Sequence, residues 1–104
     1  RMSRGGNNLM RNYELMTIHR PELGEDEISS KVTELETFLG AHGATVTSTD
    51  LWGKRRFAYE INHTNEGYYS VLTFDADTEL VSDLDRVLSL ADDVVRHKIV
   101  RPGA

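Results

Sequence analysis

The segment FAYEINHTNEGYYSVLTF, Phe57 to Phe74, decides the fold. Phe57, Tyr59 and Ile61 alternate with Ala58, Glu60 and Asn62, the period of two expected of a half-buried strand. His63-Thr64-Asn65-Glu66-Gly67 follows as a hairpin loop. Tyr68 to Phe74 returns as a second strand, with Tyr68, Ser70, Leu72 and Phe74 on one face. Upstream, Thr45 to Thr49 also reads as strand, and Gly53 interrupts it as a bulge. Two antiparallel strands therefore occupy the middle of the chain.

Each side of this hairpin carries one helix and one more strand. Tyr13 to His19 is an apolar-rich strand that Pro21 and Gly24 end. Glu25 to His42 is a helix, with Ile28, Val32, Leu35, Phe38 and Leu39 on one stripe. Glu25, Asp26 and Glu27 sit in its first turn, where acids oppose the helix dipole, and Gly43 is a left-handed stop. Asp77 or Thr78 caps a second helix whose stripe is Leu80, Val81, Leu84, Val87, Leu88 and Ala91. Asp92-Asp93 turns the chain into a last strand, Val94 to Val100. The order strand-helix-strand-strand-helix-strand is the split βαβ arrangement, an α+β ferredoxin-like sandwich. Right-handed crossovers put both helices on one face of a four-stranded antiparallel sheet and leave the other face open. Residues 1–9 read as a flexible N-terminal extension, 10–101 as one domain and 102–104 as a tail.

Composition narrows the function. The chain has 104 residues, no Cys and a net charge of −5. Disulfides, thiolate metal sites and a Cys nucleophile are excluded. The apolar runs are too short for a membrane helix, which needs ~20 residues. Arg1 to Asn8 has no apolar core and is not a secretory signal. His19, His42, His63 and His97 lie at unrelated positions without ligand spacing, so no metal or other cofactor is expected. No nucleophile elbow or phosphate loop occurs, and the carboxylates read as solvated helix faces. The expectation is a protein that is not an enzyme and has no small-molecule substrate.

The charges are sorted along the chain. Residues 1–21 sum to +3, from Arg1, Arg4, Arg11 and Arg20 against Glu14. Residues 22–43 sum to −5, from six acids against Lys31, and residues 64–93 to −7, from eight acids against Arg86. Residues 44–63 sum to +1, and residues 94–104, with Arg96, Lys98 and Arg101, to +3. The acids thus follow the helices and the bases follow the strands. A local basic patch holds phosphates even on an acidic protein, while the plainer reading is that acids solubilise the helices. Alternation along the last strand puts Val95, His97 and Ile99 toward the helices and Arg96 and Lys98 on the open face. These bases either meet RNA or merely solubilise a half-exposed strand. Lys54-Arg55-Arg56, after Trp52-Gly53, either forms an interface or protects an edge strand. Trp52 suits an interface if exposed, although buried Trp is commoner. Tyr68 and Tyr69 point to opposite faces, so no side-by-side aromatic platform for bases is expected.

Several motifs then resemble one family. They are Met10-Arg11-Asn12-Tyr13-Glu14, Gly43-Ala44, Trp52-Gly53-Lys54-Arg55-Arg56-Phe57-Ala58-Tyr59-Glu60-Ile61, Glu66-Gly67-Tyr68-Tyr69 and Val94-Val95-Arg96-His97-Lys98-Ile99-Val100. Together they closely resemble the bacterial small-subunit ribosomal protein S-six family from Met10 to Arg101, with a Trp-Gly variant and Arg-Pro ending similar to its actinobacterial branch. The resemblance implies a cytoplasmic, structural component of the small ribosomal subunit. It further implies binding to the central domain of small-subunit ribosomal RNA together with ribosomal protein S-eighteen. Carried over by position, it implies RNA contacts at Arg11, Tyr13, Arg96, Lys98 and Arg101, and partner contacts at Leu51, Trp52, Lys54, Arg55 and Arg56. Arg11 is expected to converge with Arg96 and Lys98, since the first and last strands are neighbours in this fold. The extension before Met10 departs from the family pattern, and the acidic tail of some members is absent before Ala104. The alternative from another class is a small ferredoxin-like ligand-binding or acylphosphatase-like domain. That reading needs a Gly-rich phosphate cradle with Arg and a catalytic Asn after the first strand. Arg20-Pro21-Glu22-Leu23-Gly24-Glu25 offers one Gly and acids that repel phosphate.

Overall fold

The structure is a computed structural model and describes residues 10–61 and 63–102. The flexible extension expected at 1–9 lies outside the described residues, as do the last two positions of the tail. Six elements follow in the expected order: β1 (Arg11–His19), α1 (Glu25–Ala41), β2 (Thr45–Ile61), β3 (Thr64–Ala76), α2 (Thr78–Leu90) and β4 (Val94–Val100). They form one antiparallel sheet in the order β2-β3-β1-β4. This is the ferredoxin-like arrangement, with both helices on one face.

Register decides which side each residue serves. Leu15 lies opposite Leu72 on β3 and Ile99 on β4. Tyr13, Leu15, Leu72 and Phe74 join Ile28, Val32 and Leu39 of α1 and Leu80, Leu84 and Leu88 of α2 in one core. The alternate residues, Met16, Ile18, Tyr69 and Val71, pair with one another or with Lys98 and Arg96 on the open face. The helix ends follow local chemistry. At the start of α1 the Gly24 amide donates to the Glu27 carboxylate at 3.1 Å, and at the start of α2 Asp77 accepts from the Leu80 amide at 2.8 Å. Gly43 takes φ +93° just after α1, and the Ala44 amide closes back on Leu39 O at 2.9 Å.

Three expectations need correction. The hairpin loop at 63–67 does not form; Ile61 already pairs with Thr64, and only His63, at φ +62°, takes a turn conformation among the described loop residues. Thr64 to Gly67 instead extends β3, because Arg55 and Arg56 remain paired with Gly67 and Glu66. Strand β1 starts at Arg11, since Arg11 and Asn12 pair with Ala76 and Asp75. Val87, placed on the buried stripe of α2, is 45% exposed because α2 buries only Leu80, Leu84 and Leu88.

Gly67 is the tightest point of the sheet. A Cβ there would lie 2.7 Å from Ile18 Cγ2, 2.8 Å from His19 O and 3.3 Å from Phe57 Cζ. The backbone oxygen cannot retreat without breaking the β1–β3 pairing. Gly40, in the last turn of α1, has open space at the same position. Urea unfolding of the two alanine variants should therefore give opposite signs. Gly67→Ala should lose about 1–3 kcal/mol by overpacking, and Gly40→Ala should gain up to about 1 kcal/mol from helix propensity.

Candidate functional site

The bulge at Gly53 divides the Leu51–Arg56 stretch between the two faces of the sheet. Leu51 lies opposite Ser70, and Lys54 opposite Tyr68, both on the helix side. There the Lys54 ammonium rests over the Tyr68 ring at 5.2 Å. Between them Gly53, at φ +87°, faces Tyr69, and the extra residue, Trp52, swings onto the open face. Its indole lies parallel to the Tyr69 ring, with centroids 6.1 Å apart and 6° between planes. Phe57 meets the same tyrosine edge-on at 6.1 Å, and the Arg55 guanidinium covers Trp52 at 5.3 Å. Leu51 and Trp52 are about half exposed and Lys54, Arg55 and Arg56 are exposed, so none of the five is a core residue.

The pairing of β2 with β3 breaks after Arg56 and resumes only at Ile61. Phe57 to Tyr59 leave the ladder there and help to wall a groove on the open face. The groove holds about 350 Å³. Met16, Ile18 and Tyr69 lie along it, Arg56, Phe57 and Tyr59 line one side, and Arg96 and Lys98 line the other. Arg96 and Lys98 are exposed and directly oppose Ile18 and Met16. The site is thus an apolar trough on the face that carries no helix, with the cations Arg96 and Lys98 along one rim.

The remaining candidates lie elsewhere. Arg11 shares the helix-side parity of Tyr13 and Leu15, and it stands seven residues from Ile18, the partner of Arg96. At roughly 3.3 Å per residue that is about 23 Å along β1, so the expected convergence of Arg11 with Arg96 and Lys98 does not occur. Tyr13 is 6% exposed and its ring stacks on Phe74 at 5.9 Å, so its faces are committed to the core. Arg101 is exposed and lines a different hollow, with Tyr13, Ser82 and Asp85 on the helix side. The sequence reading also missed the Trp52–Tyr69–Phe57 cluster. It compared Tyr68 with Tyr69 along one strand, whereas the stack forms across two strands. The signal was present in Gly53, since a bulge before an aromatic pair reassigns Trp52 to the face of Tyr69.

One histidine differs from the rest. His19 is 1% exposed, with Nε2 3.9 Å from Asp93 Oδ2 and no partner for Nδ1. Burial lowers its pKa below 6.5; Asp93 opposes that shift and Lys31 adds to it. Arg20 reinforces the same corner, its amide donating to Asp93 O at 3.0 Å and its Nε to Asp92 O. Among the described residues no group of three or more His, Asp and Glu side chains could hold a metal ion. No described helix is long and apolar enough to cross a membrane.

The geometry has counterparts among known proteins. The family model described as Ribosomal protein S6 matches residues 12–101. The "Small ribosomal subunit protein bS6" of Desulforamulus reducens is 45% identical over 90% of this chain and 99% of its own length. That of Carboxydothermus hydrogenoformans is 45% identical over 89% of this chain and 97% of its own length. The crystal structure of 30S ribosomal protein S6 from Thermotoga maritima superposes with a TM-score of 0.83 at 28% identity, covering 88% of this chain and 87% of that one.

The His19 corner gives a pH dependence. In the unfolded chain the imidazole titrates near 6.5. The folded state binds the proton less readily, so stability contributed by neutral His19 is complete above that pH and is lost as pH falls toward the lower folded value. The His19 ring signals in NMR should accordingly titrate with a midpoint below 6.5. A midpoint above it would show that Asp93 outweighs burial.

Proposed function

Since this chain belongs to the ribosomal protein S6 family, and is thus a small-subunit ribosomal protein and not an enzyme, we propose that its helix-free face is the working surface in the assembling subunit. The observation that carries the reading is the groove in which Arg96 and Lys98 stand across apolar residues from Phe57 and Tyr59. On this reading Arg96 and Lys98 contact phosphates of the central domain of small-subunit ribosomal RNA. Ribosomal protein S-eighteen covers the exposed Leu51 and Trp52 and the cations Lys54, Arg55 and Arg56 on the β2 edge. Arg11 and Arg101, at the other end of β1 and β4, serve as a separate phosphate contact. Tyr13 acts there only by shaping the core beneath Arg101. The acidic helices turn away from RNA because they repel it. The Trp52-Gly53 and Arg101-Pro102 features keep an actinobacterial origin within the proposal, beside relatives from other bacteria.

Charge supports a division of labour between the two proteins. A chain of net −5 with two or three cations on one face can neutralise only a few phosphates. Binding to RNA should therefore be weak alone and tight with S-eighteen. Lys is a point charge and Arg a two-pronged donor, so phosphate shape is read before base identity. An acylphosphatase-like activity finds no support, since the Arg20–Glu25 loop lacks a phosphate cradle.

Filter binding of the pair to a central-domain RNA fragment at several salt concentrations provides the test. Arg96→Ala and Lys98→Ala should each lower the salt slope by about one unit and leave heterodimer formation intact. Arg55→Ala with Arg56→Ala should instead weaken the heterodimer, with unfolding stability changed by ~0.5 kcal/mol or less per exposed site. Unchanged slopes for Arg96→Ala and Lys98→Ala would overturn the RNA assignment, and unchanged pairing for the double variant would overturn the partner assignment.

A further inference from the structure

Strand β4 carries Arg96 and Lys98 and is held along one edge only. It is an outer strand of the sheet and pairs with β1 alone. Its apolar grip on the core comes from Val94 and Ile99, near its two ends. Arg96 and Lys98 lie between them, in a stretch without an apolar anchor of its own. His97 stands between the two cations in the chain and points to the helix side. Thr17, its partner on β1, is fully buried and its hydroxyl has no hydrogen-bond partner among the described residues. Strand β1 therefore adds no side-chain tie at this level.

The tie comes from α2. His97 Nε2 lies 2.7 Å from Asp85 Oδ1. A carboxylate only accepts, so Nε2 carries the hydrogen and donates it. The His97 side chain is 15% exposed and that of Asp85 63% exposed. An ordinary surface pair contributes little, but the short distance and the shielded imidazole set this one apart. We propose, on the reading that Arg96 and Lys98 contact RNA phosphates, that Asp85 is a positioning residue. Through His97 it fixes the middle of β4 and so holds the two flanking cations in the spacing and direction that phosphates require.

Charge gives this role a sign. As a plain negative charge, Asp85 opposes RNA binding. As a positioning residue it favours binding in spite of its charge. Asp85→Asn removes the charge but keeps an oxygen that accepts from His97 Nε2. Asp85→Ala removes both. A residue acting by charge alone gives tighter RNA binding in both variants. A residue that positions β4 gives weaker binding in Asp85→Ala alone. Asp85 is exposed on α2 and alanine is the better helix former, so the variant folds.

The test is filter binding of the pair with S-eighteen to a central-domain RNA fragment, beside hydrogen exchange of the β4 amides in the full chain. Asp85→Ala and His97→Ala should each weaken RNA binding about fivefold, the factor that one net hydrogen bond represents. Both should speed exchange from Arg96 to Val100, leave β3 protected and leave heterodimer formation unchanged. Asp85→Asn and His97→Gln, which keep the acceptor and the donor, should bind at least nearly as tightly as the parent. With Arg96→Ala and Lys98→Ala both present, Asp85→Ala should weaken binding no further, because it acts through those cations. Unchanged or tighter binding of Asp85→Ala, an equal loss in Asp85→Asn, a weakened heterodimer, or an undiminished loss in the variant without the two cations would each overturn the positioning role. The double cation variant separates the two failures. Unaltered RNA affinity there sinks the RNA-facing reading itself, whereas a loss there without one in Asp85→Ala sinks the positioning role alone.

Discussion

The pairing of Leu15 with Leu72 across β1 and β3 is the constraint on which the rest of the structure depends. Side chains alternate along both strands, so this one register assigns every other residue a side. Tyr13, Leu15, Leu72 and Phe74 face the helices, and Met16, Ile18, Tyr69 and Val71 face away from them. A slip by one residue would bury Met16 opposite an acidic helix layer and expose Leu15. The contact of Gly67 with Ile18 and His19 locks the same register at the other end of the pair, because only a residue without Cβ fits.

From that register the electrostatics follow. The acids of α1 and α2 lie above one side of the sheet, and Arg96 and Lys98 project from the other. The two layers are separated by an apolar core, so the fields of the two faces are not averaged at the surface. A protein of net −5 thereby presents a cationic trough on one face and an acidic helical surface on the other. Small additional ties hold the layers in place. His97 Nε2 lies 2.7 Å from Asp85 Oδ1 between β4 and α2, and Thr49 donates a hydrogen bond to Glu36 between β2 and α1.

The candidate site was only partly legible. Period two was enough to put Arg96 and Lys98 on the open face, since β4 pairs regularly with β1 from Arg96 to Val100; the one irregularity precedes them, where Val94 and not Val95 opposes His19 and packs on the core. It failed for β2, where irregular pairing at Val46–Ser48, Leu51–Gly53 and Arg56–Ile61 resets the alternation. That is why Trp52 and Arg55, three residues apart, meet on the open face, where strict alternation would have separated them. Family position, which assigns Tyr13 an RNA contact, carries no signal of burial; the Tyr13 ring stacks on Phe74 inside.

The element order, the α1 stripe, the α2 stripe except Val87, and the sorting of acids to helices and bases to strands were determined by the sequence alone. Each rests on neighbours within a few residues: Gly24 with Glu27, Asp77 with Leu80, and Ile28 with Val32. The tertiary structure alone decided that Arg96 and Lys98 share a groove with Phe57 and Tyr59, that Arg11 stands apart from it, and that Trp52 stacks on Tyr69. Those relations join residues 17 to 87 positions apart in the sequence. They depend on strand order, register and bulges, which arise from packing the whole core at once and are not encoded in any local stretch.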